Sequence, residues 1–385
     1  MGYTKVMSKN TNIGRPYKII RQILSDPRVC FVFLHSENKQ IMMKKHLLTI
    51  GVVVAILLIA GGVAGYMVYD RILAPQVDGT EVCYIQVYPD DNTDSVGGKL
   101  AAVEGMGKMQ GFAPLMKHYK YDEHVKPGNY AIRPGDSMRD ICLRLLSGNQ
   151  TPVRLVVPSV RTLDRLAGAV GKQLMTDSAT IMATLSDLHL IDSLGYTVET
   201  FPTLFLPNTY EVYWTMSAEQ WVARMKKEHA RFWNEERRAK ARAQGLTPEE
   251  VVTLASIVDE ETNKNDEKPM VAGLYLNRLK RGMLLQADPT VKYAHGKFDL
   301  RRILLVHLTI DSPYNTYKYA GLPPGPIRIP SISAIESVLN PAKHNYIYMC
   351  AKEDFSGYHN FASTLSQHNA NARRYQQALN QRGIK

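Results

Sequence analysis

Three acids stand side by side at Asp259, Glu260 and Glu261, inside the stretch TPEEVVTLASIVDEETNKNDEKP. Carboxyl groups of this kind serve general acid and base chemistry when their surroundings hold a proton on one of them near neutral pH. Each residue of a helix advances by about 100°, so Val251, Leu254, Ala255 and Val258 form one apolar stripe. Glu261 falls at i+7 from Leu254 and i+3 from Val258 and borders that stripe, while Glu260 points nearly opposite and Asp259 lies on the flank. A carboxyl at the edge of a buried face, at a helix C-terminus and beside two like charges, is expected to titrate high, through desolvation and repulsion together. That suits a general acid. The competing reading is structural: an N-cap or ion pairs with the next helix, expected from about Asp266 and carrying Arg278, Lys280 and Arg281.

The elements that would hold these groups are readable from their punctuation. TPEEVV starts a helix, with Thr247 as N-cap, Pro248 in the first helical position and Glu250 completing a capping box. KPMVAGLYLNRLKRGM is a second amphipathic helix, with Val271, Leu274, Tyr275 and Leu279 inward and Gly282 as its stop. In LLQADPTVKYAHG, Gln286, Asp288 and Thr290 offer short polar groups on a loop stiffened by Pro289. In SPYNTYKYAGLPPGPIRIPS, Tyr314, Asn315 and Tyr317 precede a Gly-Leu-Pro-Pro-Gly-Pro run too rigid and too poor in N–H donors for a helix or an inner strand. Aromatic faces and amides on fixed loops suit sugar rings, whose C–H faces pack on aromatics while their hydroxyls need hydrogen bonds.

The 385-residue chain, 45% hydrophobic and 22% charged, has a globular composition. Its formal charge of +11 suggests nucleic acid at first sight, but residues 1–46 hold nine Lys and Arg against two acids, leaving only +4 elsewhere. Nucleic acid is therefore not an expected partner. Leu47 to Tyr69, LLTIGVVVAILLIAGGVAGYMVY, runs about 23 residues without charge, enough to span a bilayer. Lys44 and Lys45 before it place the N-terminus in the cytoplasm and everything after Asp70 outside, anchored by a single helix in the cytoplasmic (inner) membrane. The run is longer than the apolar part of a usual signal peptide, and no clear A-x-A site follows it. Met42 and Met43 offer alternative starts, in which case residues 1–41 are an upstream extension. Cys30, Cys83, Cys142 and Cys350 form no C-x-x-C pair, so buried free thiols are expected. Neither a metal site nor a nucleotide or redox cofactor is expected, since no ligand cluster or Gly-rich phosphate loop occurs.

Beyond the span, Glu81–Pro89 reads as a strand, about Ser95 to Lys108 as a helix, and Asn129–Ile132 as a strand. A Pro-Gly turn then leads to an Asp136 or Ser137 N-cap and a helix with Met138, Ile141, Cys142 and Leu145 on one face, ended by Gly148. This strand, turn and helix, with PGDSMRDICLRL at its centre, resembles part of a LysM-type glycan-binding module; a generic αβ unit is equally compatible with it. A strand at Val153–Val157 and a helix from near Arg161 follow a domain boundary near Pro152. Ala218 to Ala243 reads as one long charged helix with a solvated basic face.

ASIVDEET, NRLKRGMLLQADPTVKYA, SPYNTYKYAGLPPGPI, SVLNPAKHNYIYMCAK and HNFASTLSQHN, in this order behind a single anchor, resemble the endolytic murein transglycosylases, the MltG or YceG-like family. The resemblance is firm over Ser159 to Tyr375. It implies an α+β architecture: a basic cytoplasmic segment (1–46), a transmembrane helix (47–69), a small LysM-like αβ subdomain (70–151) and a larger mixed α/β catalytic domain (152–385). The family's "SIVEKET" sets its catalytic Glu on Glu261, the residue that helical phase selects. Its first Glu is Asp259 here and its Lys is Glu260. Gln286, Asp288 and Thr290 match "LQtDPT", Asn315 and Tyr317 match "SPYNTY", and His359 and Phe361 fall on "H-x-F"; Gln367 departs from a common Glu.

The resemblance implies lytic cleavage of the bond between N-acetylmuramic acid and N-acetylglucosamine within nascent peptidoglycan strands, leaving 1,6-anhydromuramic ends and limiting strand length. Glu261 is then the single catalytic acid and base. Gln286, Asp288, Thr290, Asn315, Tyr317 and His359 are expected substrate contacts, with structural hydrogen bonding as the alternative. Partners would be glycan strands and peptidoglycan synthases. Two rivals stay open: a hydrolase pairing Glu261 with Asp288, which needs carboxyls about 5–5.5 Å or 6.5–9.5 Å apart, and a noncatalytic glycan-binding scaffold. His359 has no Ser or carboxylate partner at a telling spacing, so a Ser-His-Asp triad is unsupported.

Overall fold

The structure is a computed structural model that describes residues 27–300 and 303–383, with side chains described from residue 39 onward. The basic stretch 1–26, and with it most of the segment expected in the cytoplasm, lies outside the described residues. Helix α1 (Pro27–Val68) passes into a π-helical turn, Tyr69–Leu73. No Gly or Pro interrupts it before the apolar run, so it starts well upstream of Leu47. Its part Lys39–Leu73 is long and apolar enough to cross a membrane, and none of it is buried.

A first core follows. Strand β1 (Cys83–Val87) pairs antiparallel with β2 (Gly128–Ile132), Ile85 opposite Tyr130, and between them run α2 (Thr93–Ala101) and α3 (Phe112–His118). Then comes α4 (Met138–Ser147), capped by Ser137, one of the two expected N-caps, with Asp140 completing a capping box, and stopped by the left-handed Gly148 as expected. Val87, Leu100, Met116, Tyr130 and Ile141 pack together here. Helix α2 ends at Ala101, short of the expected Lys108. The chain after it is recruited elsewhere: Asp78 N–H donates to the Gly105 carbonyl and Gly107 N–H to that of Gln76.

The remainder, expected as one domain, builds two hydrophobic cores. In the first, β3 (Val153–Val157) pairs antiparallel with β4 (Asn208–Val212) around α5 (Leu163–Gly171), α6 (Ser178–Leu185) and α7 (Leu188–Ser193), with α8 (Ala218–Phe232) packed on top. Trp221 of α8 stacks on Phe205, ring centroids 5.3 Å apart. The single helix expected over 218–243 is broken. Trp233 turns into the second core, described next, and Asn234 accepts the Arg237 N–H to cap a new helix, α9 (Glu235–Gln244). Burial of one large aromatic outweighs continuity of the helical ladder.

The second core gathers α10 (Pro248–Glu261), α11 (Lys268–Lys280), the short α12 (Asp288–Ala294) and α13 (Ile332–Leu339), flanked by the hairpin of β5 (Tyr348–Ala351) and β6 (His359–Ala362) and by α14 (Leu365–Gln381). The Thr247–Glu250 capping box opens α10 as expected. Its burial is wider than a stripe: every residue from Val251 to Asp259 is buried. Polar members are satisfied in place, Ser256 donating to the Thr253 carbonyl and accepting the Ile327 N–H. Helix α11 is also enclosed, and at Gly273 a Cβ would meet the Ala342 carbonyl oxygen at 2.6 Å, so this position admits only glycine. The segment after the Pro-rich run ties the two cores together through the Ile329 N–H, which donates to the Val160 carbonyl at 2.8 Å.

Candidate active site

The three neighbouring acids at the end of α10 have three different fates. Asp259, expected on the flank, is buried and works as a knot. It meets Lys268 Nζ at 2.7 Å and accepts from the Ser331 N–H and hydroxyl, with Arg328 Nε at 3.5 Å. Burial alone would raise this carboxyl, but the bonds from Lys268 and Ser331 and the charge of Arg328 more than offset it and hold it below the usual range. Glu260 is clamped by Arg161, at 2.7 and 2.8 Å, and by Arg328 at 3.1 Å. These contacts pin the last turn of α10.

Glu261, the last residue of that helix, forms no ion pair with Lys or Arg among the described residues. It stands at the negative end of the helix dipole, with no basic residue in the last turn to compensate. Its Oε1 accepts from the Tyr275 hydroxyl at 2.6 Å. Burial pushes its carboxyl up to about 7; the Tyr275 bond and the charge of His359 pull it down, while Asp288 and Glu260 add to the rise. Desolvation thus dominates, and the like-charge repulsion expected from the cluster is the smaller part, because cations already occupy Asp259 and Glu260. A carboxyl titrating near 7 can give up a proton and take one back at neutral pH.

Around Glu261 opens a cavity of ≈ 440 Å³. Tyr275 and Arg278 of α11 form one wall, Gln286, Asp288 and Tyr317 a second, and the β5–β6 hairpin with His359 a third, closed by Leu365 and His368 of α14. Glu261, Gln286, Asp288, Tyr317 and His359, far apart in sequence, are therefore brought to one cleft.

Thr290 and Asn315, grouped with them from the sequence, do not line it. Both are fully buried behind its wall. The Thr290 hydroxyl bonds the Ala287 carbonyl and the Thr316 hydroxyl, and the Asn315 amide donates to the carbonyls of Leu308 and Ile310. Their role in this structure is to hold the two loops in shape. The segment expected as a Pro-stiffened loop is also partly helical: Asp288 and Pro289 open α12, the position in which proline's missing N–H costs nothing. Asp288 accepts a short hydrogen bond from the Tyr317 hydroxyl. Gln286, just before α12, has φ +52°, a left-handed conformation uncommon for this residue type.

His359 does have a carboxylate partner, one that spacing concealed. Glu267, 92 residues away, accepts its backbone N–H at 2.6 Å and faces its Nδ1 at 3.0 Å. A carboxylate facing Nδ1 keeps a proton on that nitrogen. Tyr275, Arg278, Glu267 and His368 were all missed as site residues. Tyr275 had been read as core, which it is at 1% exposure; its hydroxyl alone reaches the site.

Comparison with known proteins identifies relatives of the chain. The YceG-like family matches residues 85–374. An endolytic murein transglycosylase of Streptococcus pneumoniae is 30% identical over 331 residues, 77% of this chain and 59% of that protein, so this chain spans less than two thirds of that relative's length. Its counterpart in Bacillus subtilis is 26% identical over 340 residues, 83% of this chain and 92% of that protein. A crystal structure of a yceG-like protein from Listeria monocytogenes superposes with a TM-score of 0.51 at 28% identity, over 76% of this chain and 99% of that one. With every cleft residue falling inside the matched region, the chain belongs to the YceG-like family.

Proposed function

We propose that this chain is a membrane-anchored endolytic transglycosylase that cuts the bond between N-acetylmuramic acid and N-acetylglucosamine within peptidoglycan strands. The observation that carries the reading is Glu261: one carboxyl, poised near neutrality by burial, in a cleft walled by aromatic and amide side chains. Relatives named endolytic murein transglycosylases support it.

In the first step the protonated Glu261 donates to the glycosidic oxygen; the bond from that oxygen to muramic C1 breaks as an oxocarbenium-like state develops. In the second, the Glu261 carboxylate takes the proton of the C6 hydroxyl, and O6 closes on C1. Water is not consumed, and the strand ends in a 1,6-anhydro sugar. Tyr275 holds the carboxyl in place through both steps. Asp288, Gln286, Tyr317 and His359 serve as substrate contacts, with Thr290 and Asn315 as supports behind them.

The single apolar helix anchors the protein, with the cleft on the outer side of the cytoplasmic membrane, where tethering raises the local concentration of newly made glycan. There it would shorten nascent strands in company with peptidoglycan synthases. The LysM-like unit over 70–151 would add a second grip on glycan.

Mass spectrometry of products from uncross-linked strands, treated with the full chain in detergent, tests this reading. Anhydromuramic ends from wild type and not from Glu261→Gln are expected. Reducing ends would point to hydrolysis with Asp288 as partner, and no cleavage by either protein would leave a glycan-binding scaffold.

A further inference from the structure

Arg278 is a buried cation without an anion. It is 8% exposed and lines the cleft, and among the described residues it forms no ion pair. Lys268, the other buried Lys or Arg among the described residues, is compensated by Asp259, and the half-buried Arg328 by Asp259 and Glu260. Of the Arg278 guanidinium nitrogens, Nη2 donates to the Gln286 side-chain oxygen at 2.6 Å, while Nε is buried with no partner. Tyr348 lies beside the guanidinium plane, 5.8 Å from ring centroid to Cζ. Buried charges are costly unless paired, and a planar fork held by an amide and an aromatic ring is a ready receptor for a carboxylate.

Its position relative to the chemistry is set by α11. Arg278 follows Tyr275 by three residues, so the two share a face about one turn apart, and Tyr275 holds Glu261. The guanidinium therefore lines the same cleft as Glu261 from about one helical turn further along α11, within side-chain reach of a sugar ring bound over the acid. In an aminosugar polymer cut at a muramyl C1, the group at that reach is the lactyl ether on C3 of the same ring, which carries a carboxyl either free or extended by a peptide.

Building on the proposed function, we propose that Arg278, held by Gln286, is a specificity-determining residue that binds a carboxylate borne by the lactyl arm of the muramyl residue at the cleavage point. The carboxylate is that of the lactyl group itself in stem-free strands or one within the peptide stem. Glycan lacking charge on this arm is then a poor ligand, which restricts the enzyme to muramyl positions and registers the strand over Glu261. The left-handed backbone at Gln286 is explained as well, since that conformation presents the amide oxygen to the guanidinium.

The test uses the full chain in detergent and four strand preparations: stem-bearing, stem-stripped, and each of these with its carboxyls converted to methylamides. Binding is measured with Glu261→Gln and with Glu261→Gln/Arg278→Gln, and cleavage with wild type, Arg278→Gln and Arg278→Lys. The expected result is that Arg278→Gln lowers affinity and kcat/KM by about tenfold to a hundredfold on charged strands and has no further effect on methylamidated ones. Arg278→Lys should keep part of the preference. Whichever charged preparation shows the effect identifies the source of the carboxylate. An equal loss on charged and neutral strands, or no loss on either, overturns the proposal and leaves Arg278 a structural residue. If wild type cleaves nothing, the transglycosylase reading fails, while the binding preference of the Glu261→Gln protein still decides the role of Arg278.

Discussion

The Tyr275 hydroxyl donates to Oε1 of Glu261 at 2.6 Å, and among the described residues no other side chain hydrogen-bonds that carboxyl. The bond joins the last residue of α10 to the middle of α11, so the position of the acid depends on the packing of two buried helices. It also favours the charged form and partly counters the rise that burial imposes on Glu261.

Tyr275→Phe should therefore raise the pKa of Glu261. Since the proposed first step requires the protonated acid, the fall of kcat/KM on the alkaline side, expected near 7 for the wild type from the pKa of Glu261, should move to higher pH. The rate at the optimum should drop roughly tenfold as the carboxyl loses its anchor. A pH–rate profile that is unmoved, or moved toward acid, would refute this role.

Asp288→Asn should move the same limb the other way. The Asp288 charge helps to raise Glu261, so its removal lowers the pKa and brings the alkaline fall to lower pH. Product ends should remain anhydro, with the rate down by about tenfold through lost substrate contact. Loss of all turnover with Glu261 intact would instead favour Asp288 as a second reacting carboxyl.

Stability carries its own signature of Glu261. Its carboxyl titrates near 4.5 without the fold and near 7 within it, so between those values the native state binds more protons than the unfolded one. Wild-type stability should fall as pH rises from about 4.5 to 7 and level off above, by on the order of 2 kcal/mol for a carboxyl that faces a cleft. Glu261→Gln lacks this loss. Melting curves across pH 4–8 should show the variant gaining on the wild type up to about 7, and parallel curves would rule the shift out.

Asp259 behaves with opposite sign. Asp259→Asn leaves Lys268, 4% exposed, without its charge partner. The cost should be about 3–5 kcal/mol at neutral pH. Because the carboxyl is held below its usual range, the native contribution is present above the unfolded pKa and lost as pH falls through the folded one. Denaturant titrations at pH 7 and in acid should show a gap that narrows in acid; a constant gap would mean that packing, not charge, is responsible.

Gln286→Gly should separate stability from function. Glycine adopts φ +52° without strain, a relief of about 1 kcal/mol, but the buried Arg278 loses its one side-chain hydrogen bond among the described residues, so the two effects oppose and the melting temperature should change little. The Arg278 contact is lost, and kcat/KM should fall. A variant with full activity would show that the amide is dispensable.

Local signals carried well from sequence to structure where they concern neighbours along the chain. The Thr247–Glu250 capping box, the N-cap at Ser137, the stop at Gly148 and the strand Val153–Val157 all form where their residue types ask for them. Helical phase singled out Glu261 because a residue at i+3 and i+7 from buried positions must border the buried face. Legibility failed where a distant partner decided the outcome. Trp233 broke a helix because a core built by other elements could bury it, and Thr290 became a support because its hydroxyl meets that of Thr316, 26 residues away.

The sequence by itself determined which groups could do chemistry and in which elements they would stand, since caps, phase and turn residues act over a few positions. Tertiary structure alone decided the division of labour among three adjacent acids. Lys268 and Arg328 take Asp259, Arg161 and Arg328 take Glu260, and Tyr275 takes Glu261. Those partners come from elsewhere in the chain, and a carboxyl's proton affinity depends on the charges and solvent that surround it in space.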